Sequence, residues 1–220
     1  LIGVCGAGAM GRGIVQVASV GGVRVKVFDI NNEQLEEALK FIDNMLGRAV
    51  EKGRMEEKDR QDAVSRMELV GAISDLSDCE IVIEAATENL EIKKKIFAEI
   101  EDVVLDSTII ATNTSSLSVT TIASACKRPE RIAGFHFFNP VPLMKLVEVI
   151  DGVLTEPHVG DQLMVLGSRM TREPVRLKDA PGFLVNQVGR GYNVETQHLQ
   201  AECVGEFVDL DRILRDGAGF

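Results

Sequence analysis

The amino-acid sequence predicts an α/β protein, a doubly wound and mostly parallel sheet, followed by the start of an all-helical segment. Three observations carry this. Short apolar runs alternate with longer stretches of helical spacing up to about residue 180, a glycine-rich turn joins the first run to the first helical stretch, and the strand pattern stops after Ala180-Pro181-Gly182. Strands that alternate with helices pair in parallel through crossovers, and the crossover helices cover both faces of the sheet.

Leu1 to Cys5 is an apolar run, after which Met10, Ile14, Val17 and Ala18 recur at helical spacing. Val23, Val25 and Val27 alternate up to Phe28, and Leu35, Leu39, Ile42, Leu46 and Val50 share one face of a helix over Glu33 to Lys52. Arg54 to Arg66 is charged without a clear apolar stripe and reads as a solvated helix end and connection. Further strands are expected at Met67 to Val70, Ile81 to Ala86, Thr108 to Thr112, Arg131 to Phe137 and Lys145 to Ile150. An amphipathic helix from Pro157 to Met170 and a final edge strand over Pro174 to Lys178 complete the pattern. Helical spacing then begins anew at Phe183, Val185, Val188 and Tyr192. Residues 1–180 are expected to form one domain and residues 181–220 to open a second, helical one, too short to build a core and therefore truncated. Leu1 already lies inside an apolar run, which implies a native chain that begins earlier.

The composition narrows the functional classes. With 45% hydrophobic residues the chain buries a full core, and a net charge of -10 argues against nucleic acid and anionic membrane as partners. An anionic ligand must therefore meet a local site. Cys5, Cys79, Cys126 and Cys203 are widely separated, mostly in apolar runs, and imply a reducing compartment. No run approaches the roughly 20 apolar residues of a membrane span and no signal-peptide pattern opens the chain, so a cytoplasmic protein is expected. No His, Asp, Glu and Cys cluster has metal-ligand spacing.

Gly6-Ala7-Gly8-Ala9-Met10-Gly11 is a G-x-G-x-x-G that follows a strand and opens a helix, the setting of a Rossmann-type dinucleotide site. Gly6 permits the tight turn, Gly8 lets the backbone approach a pyrophosphate, and Gly11 allows helix and strand to pack closely; the helix N-terminus faces the anion. Asp29 ends the second strand at the spacing of an acidic residue that accepts from an adenosine ribose and repels a 2′-phosphate, which points to NAD rather than NADP. Helix capping ahead of Asn31 is the other reading of Asp29.

Farther along stand Asn113-Thr114-Ser115-Ser116-Leu117, His136-Phe137-Phe138-Asn139-Pro140-Val141-Pro142, Leu146-Val147-Glu148-Val149-Ile150 and Pro181-Gly182-Phe183-Leu184-Val185-Asn186. With Glu84-Ala85 and Glu88-Asn89-Leu90, this set resembles the signature of the L-3-hydroxyacyl-CoA dehydrogenases, in order and in spacing, from Leu1 to Phe220. The stretch from Ala180 to Arg190 is more similar to the long bacterial forms, including those of aromatic-acid catabolism, than to the short mitochondrial form.

The resemblance implies NAD-dependent oxidation of a 3-hydroxyacyl-CoA, in fatty-acid or related catabolism, by a homodimer formed through the remainder of the helical domain. It implies His136 as catalytic base and Glu148 as the carboxylate that orients it. By themselves these residues also admit a hydrogen-bonded core histidine and a solvent-facing glutamate. Ser115 matches the contact to the substrate 3-oxygen beside the nicotinamide, although helix capping is open to it as to Ser116 and Ser118. Asn186 matches an asparagine that reaches the active site from the second domain. Glu88, Lys93 and Asn139 match cofactor contacts, or else are surface and turn residues. Lys52 matches a basic residue near the CoA phosphates, a role open also to Lys40 and Arg48. A dehydrogenase of other 3-hydroxy acids, with a lysine base, fits the His136 and Glu148 pair poorly. A non-catalytic NAD-binding protein and a segment of a longer multifunctional enzyme are the remaining alternatives.

Overall fold

The computed structural model describes residues 1–219, and Phe220, the end of the expected second segment, lies outside them. Contacts divide the chain into two units, Leu1–Pro181 and Gly182–Phe220. The first unit contains one sheet of eight strands: β1 (Ile2–Cys5), β2 (Val25–Phe28), β3 (Met67–Val70), β4 (Ile81–Glu84), β5 (Ile109–Thr112), β6 (Ile132–Phe137), β7 (Leu146–Asp151) and β8 (Glu173–Lys178). Their order is β3-β2-β1-β4-β5-β6-β7-β8. The first six strands pair in parallel, β7 lies antiparallel to β6, and β8 is parallel to β7 at the edge.

The crossover helices are α1 (Ala9–Val20), α2 (Asn32–Glu51), α3 (Glu57–Ser65), α4 (Leu90–Val103) and α5 (Val119–Ala123), with α6 (Pro157–Arg169) joining β7 to β8. Strand alternation sorts the core into two layers. Val4, Ile83, Ala111, Phe135 and Val149 point with Ile14 of α1, Ile42 of α2 and Leu163 of α6 into one cluster. Val82, Ile110 and Ile132 pack with Phe97 and Ile100 of α4 and Ile122 of α5 in the other. Polar caps fix three helix starts: Asn31 accepts from the backbone N–H groups of Glu33 and Gln34, Asn89 from that of Ile92, and Ser118 from that of Thr121. The start of α1, by contrast, has no side-chain cap.

The structure adds the direction of one strand and corrects one expectation. The Lys145 to Ile150 segment does form a strand, but it enters the sheet in reverse, and its antiparallel register sets the site described below. The charged stretch from Arg54 to Arg66 contains a helix of its own, α3, which buries only Ala63. Its weak apolar pattern is offset by Arg60, held between Asp43 and Glu57, and by packing against α1 and α2.

The second unit consists of α7 (Val185–Ala201), α8 (Phe207–Ile213) and a π-helical turn over Leu214–Ala218. Helical spacing suggested a start at Phe183, but α7 begins at Val185 because Gly182 (φ 78°) and Phe183 (φ 49°) both occupy left-handed backbone.

The glycines of the first turn are required for different reasons. Gly6 has φ 107°, and a Cβ there would lie 2.7 Å from the Ala86 backbone. A Cβ on Gly11 would run into the carbonyl oxygen of Gly6, whereas one on Gly8 would meet only Gln34 Nε2, at an ordinary 3.6 Å. Gly11→Ala should therefore lower stability by about 3 kcal/mol, the upper end for overpacked sites, while Gly8→Ala should stay within about 1 kcal/mol of the parent. Urea denaturation of the two variants checks this, and equal losses would show that the turn is not packed as described.

Candidate active site

The sheet order reverses beside β1, so the crevice between the carboxyl ends of β1 and β4 is the place where an open α/β sheet accepts a ligand. Gly6 and Ala7 follow β1, Gly8 precedes α1, and Ala9 and Met10 begin it. Asp29, immediately after β2, ties the turn together: Oδ2 accepts from the Ala7 backbone N–H at 2.7 Å and Oδ1 from that of Asn31 at 2.9 Å. Asn31 and not Asp29 caps α2, so the helix-capping reading of Asp29 does not hold, and its carboxylate retains acceptor capacity beyond these two bonds. It faces a cleft of about 530 Å³ lined also by Ile30, Asn31, Gln34, Ile92 and Ile96. The glycine turn, the uncapped helix start and the cleft that Gly8 and Asp29 line together fit a dinucleotide, with backbone N–H groups for a pyrophosphate and a carboxylate that can accept from a ribose. Cys5 also lines this cleft, but its thiol is pushed up to about 12, by burial first and then by the carboxylates of Glu84 and Asp29, and so stays protonated and inert.

Farther along the same edge stand the ionisable residues. His136 is the fifth residue of β6 and Glu148 the third of β7, and the antiparallel register sets them directly opposite each other. His136 Nδ1 lies 2.8 Å from Glu148 Oε2. Glu148 is 0% and His136 5% exposed, so Glu148 does not face solvent. A buried carboxylate needs a hydrogen-bonding, cationic or polarisable partner, and the imidazole is that partner. The contact with the carboxylate is made through Nδ1, the ring nitrogen that orients the imidazole.

Ser115 follows β5 on a turn gathered around Glu88. Glu88 Oε1 accepts from Thr114 Oγ1 at 2.7 Å, from the backbone N–H of Ser115 at 3.0 Å and of Ser116 at 3.2 Å, and from the hydroxyls of Ser115 at 3.3 Å and Ser116 at 3.2 Å. Ser118, not Ser115, caps α5. Asn113 Oδ1 accepts from the Phe137 backbone N–H at 2.9 Å, joining the Ser115 turn to the strand that carries His136. Burial opposes ionisation of Glu88, but the bonds from Thr114, Ser115 and Ser116 and the charge of Lys93 outweigh it and hold the carboxyl below its ordinary 4.5.

Lys93 is not a surface charge. It is 1% exposed, its Nζ 2.6 Å from the fully buried Glu84 and 3.8 Å from Glu88. Asn139 is exposed just beyond β6. Lys52, at the end of α2, is not brought to this edge: α2 runs for 20 residues away from it, about 30 Å of helix, and the following Arg54 and Met55 share a hollow with Gly21 and Gly22 at the far end of α1. Asn186 lies on α7 in the second unit. Sequence reasoning assigned no role to Glu84, Thr112, Asn113 or Thr114. The available signal was a glutamate closing the wholly apolar run Ile81-Val82-Ile83, the same anomaly that marks Glu148.

Residues 1–180 match the family described as 3-hydroxyacyl-CoA dehydrogenase, NAD binding domain. The chain belongs to the 3-hydroxyacyl-CoA dehydrogenase family. Among its curated relatives, the 3-hydroxyadipyl-CoA dehydrogenase of Escherichia coli (strain K12) is 42% identical across 100% of the chain and 46% of that protein. The probable 3-hydroxybutyryl-CoA dehydrogenase of Bacillus subtilis (strain 168) is 40% identical across 97% of the chain and 75% of that protein. The crystal structure of a 3-hydroxybutyryl-CoA dehydrogenase from Escherichia coli K12 superposes with a TM-score of 0.95 at 42% identity, over 100% of this chain and 46% of that one. The chain thus spans a little under half of the Escherichia coli relative, and of the Escherichia coli crystal structure, and three quarters of the Bacillus subtilis relative.

Because Glu88 is depressed, its hold on the Ser115 turn is complete above pH 4.5 and is lost as pH falls through its lower folded value. The amide resonances of Ser115 and Ser116 should therefore titrate together with a midpoint below 4.5. A midpoint at or above that value would mean that Glu88 is not held by this turn.

Proposed function

We propose that this chain is the cofactor-binding part of an enzyme that oxidises L-3-hydroxyacyl-CoA to 3-oxoacyl-CoA, within fatty-acid or related acyl-CoA catabolism in the cytoplasm. The His136–Glu148 pair carries the reading. A buried imidazole oriented through Nδ1 by a carboxylate 2.8 Å away is the arrangement of a histidine general base. NAD, when bound, supplies the acceptor for the hydride from C3. His136 Nε2 takes the hydroxyl proton, and the resulting imidazolium is offset by the Glu148 carboxyl group at Nδ1.

The Ser115 hydroxyl donates to the 3-oxygen as negative charge gathers there. Its bond to Glu88, at 3.3 Å, is the longest of the five made by that carboxylate, and rotating the hydroxyl toward substrate leaves the other four intact. Asn186 is the second proposed contact to that oxygen. Gly6, Gly8, Ala9, Met10 and Gly11 hold the pyrophosphate, Asp29 the adenosine ribose, and Glu88, Lys93 and Asn139 border the nicotinamide. Lys52, if it meets the CoA, does so away from the reacting atoms. The second unit is read as the beginning of a substrate and dimerisation domain, with a homodimer as the assembly. Among the described residues no helix is long and apolar enough to cross a membrane.

Two experiments on the full-length protein test this. His136→Gln should lower NADH-dependent reduction of acetoacetyl-CoA by roughly 100- to 10,000-fold with little change in NADH affinity; turnover within a few-fold of the parent would require another base. Cofactor fluorescence titration should show NADH binding much more tightly than NADPH, and Asp29→Ala should narrow the gap chiefly by weakening NADH. Equal affinities in the parent would remove Asp29 from its role. Tight NADH binding without any reduction of acetoacetyl-CoA by the parent would favour a non-catalytic NAD-binding protein instead.

A further inference from the structure

Behind the Ser115 turn the side chains of Glu84, Thr112, Thr114, Glu88 and Lys93 close into a ring. Glu84 Oε2 accepts from Lys93 Nζ at 2.6 Å and from Thr112 Oγ1 at 3.0 Å. Thr112 Oγ1 accepts in turn from the Thr114 backbone N–H at 3.3 Å. Thr114 Oγ1 donates to Glu88 Oε1 at 2.7 Å, and Glu88 Oε2 lies 3.8 Å from Lys93 Nζ, which returns the path to Glu84. The second oxygen of Glu84 accepts from the Ala86 backbone N–H at 2.9 Å, fixing the exit of β4.

Four of the five members, Glu84, Lys93, Thr112 and Thr114, are buried, and Glu84 and Thr112 are register partners across β4 and β5. A buried ion pair is seldom more stable than apolar side chains of the same volume, so stability alone gives little reason for it. What the ring does fix is geometry. Thr114 is clamped through its backbone by Thr112 and through its hydroxyl by Glu88, and Glu88 also receives both N–H groups of the next two residues. Ser115 therefore sits on a turn whose backbone is held from two sides.

We infer that this ring positions the Ser115 hydroxyl for the reaction, with Glu84 and Thr112 as positioning residues that touch neither substrate nor cofactor. The inference rests on the proposed contact between Ser115 and the substrate oxygen. Breaking the ring at Thr112 leaves the glycine turn and Asp29 untouched, so its effect falls on turnover and not on cofactor affinity.

The test is a double-mutant cycle in the full-length protein, read as kcat for acetoacetyl-CoA reduction together with NADH affinity. Thr112→Val, which keeps the volume and removes the hydroxyl, should lower kcat by about 2- to 10-fold, the worth of one hydrogen bond, with NADH affinity unchanged. Thr112→Ser should restore most of the loss. In a Ser115→Ala background Thr112→Val should cost nothing further, because there is no hydroxyl left to position. Glu84→Gln should lower kcat further and also weaken NADH, because Glu84 holds Lys93 as well as Thr112; the Thr112 cycle, which leaves that ion pair in place, decides. Unchanged kcat in Thr112→Val, or losses that multiply in the double variant, would overturn the positioning role. Full kcat in Ser115→Ala would overturn the substrate contact itself, and the positioning role with it.

Discussion

Glu148 has no access to water, and a carboxylate so enclosed must find its compensation inside the protein. The compensation is His136, and it is available because β7 runs against β6. An antiparallel partner places residues near its own beginning beside the end of its neighbour, so the third residue of β7 lies opposite the fifth of β6, at the carboxyl edge where the other five parallel strands also end. The reversal of one strand thus brings a carboxylate to an imidazole at the ligand-binding edge of the sheet. Val147 and Val149 on the opposite face anchor that strand in the larger core cluster, which leaves Glu148 no freedom to turn outward.

The rest of the edge follows from the same alternation. Glu84, Thr112, His136 and Glu148 belong to the face of Val82, Ile110 and Ile132, covered by α4 and α5, while their strand neighbours Ile83, Ala111, Phe135 and Val149 point to the α1, α2 and α6 side. Polar chemistry is confined to the last residues of the strands, where the apolar layer gives way. The glycine turn after β1 belongs to the same edge, and it is built by close backbone packing at Gly6 and Gly11, while a Cβ at Gly8 would meet only an ordinary contact with Gln34. Packing and binding therefore impose separate demands on three glycines that look equivalent in sequence.

Much of this was legible in the sequence. Each of the eight strands lies within a residue or two of its expected position, and the turn motif stands where a strand-to-helix junction requires it. His136 and Glu148 were singled out by the family resemblance, since by themselves the residues also admitted a core histidine and a solvent-facing glutamate. The reversed direction of β7 was not legible, since a short connection and a crossover leave the same apolar run. α3 was missed because a helix that buries one alanine writes almost no periodic signal. The network around Glu84 was missed for a different reason: its members are separated by up to thirty residues, and only the register of β4 with β5 and the packing of α4 bring them together. Lys93 in particular sits in a helix rich in lysine, where nothing in the sequence distinguishes the buried one from Lys94 and Lys95.

The claim on which the account turns is that the buried carboxylate of Glu148 makes His136 a base by holding its Nδ1. Single-turnover reduction of acetoacetyl-CoA by bound NADH, compared between the full-length parent and its Glu148→Gln variant, addresses it directly. Glutamine keeps the shape and the buried site but loses the charge, so the account predicts a fall in the single-turnover rate on the order of 100- to 10,000-fold with NADH affinity unaltered. A rate within a few-fold of the parent would contradict it, because His136 would then be acting without the carboxylate that the fold encloses beside it.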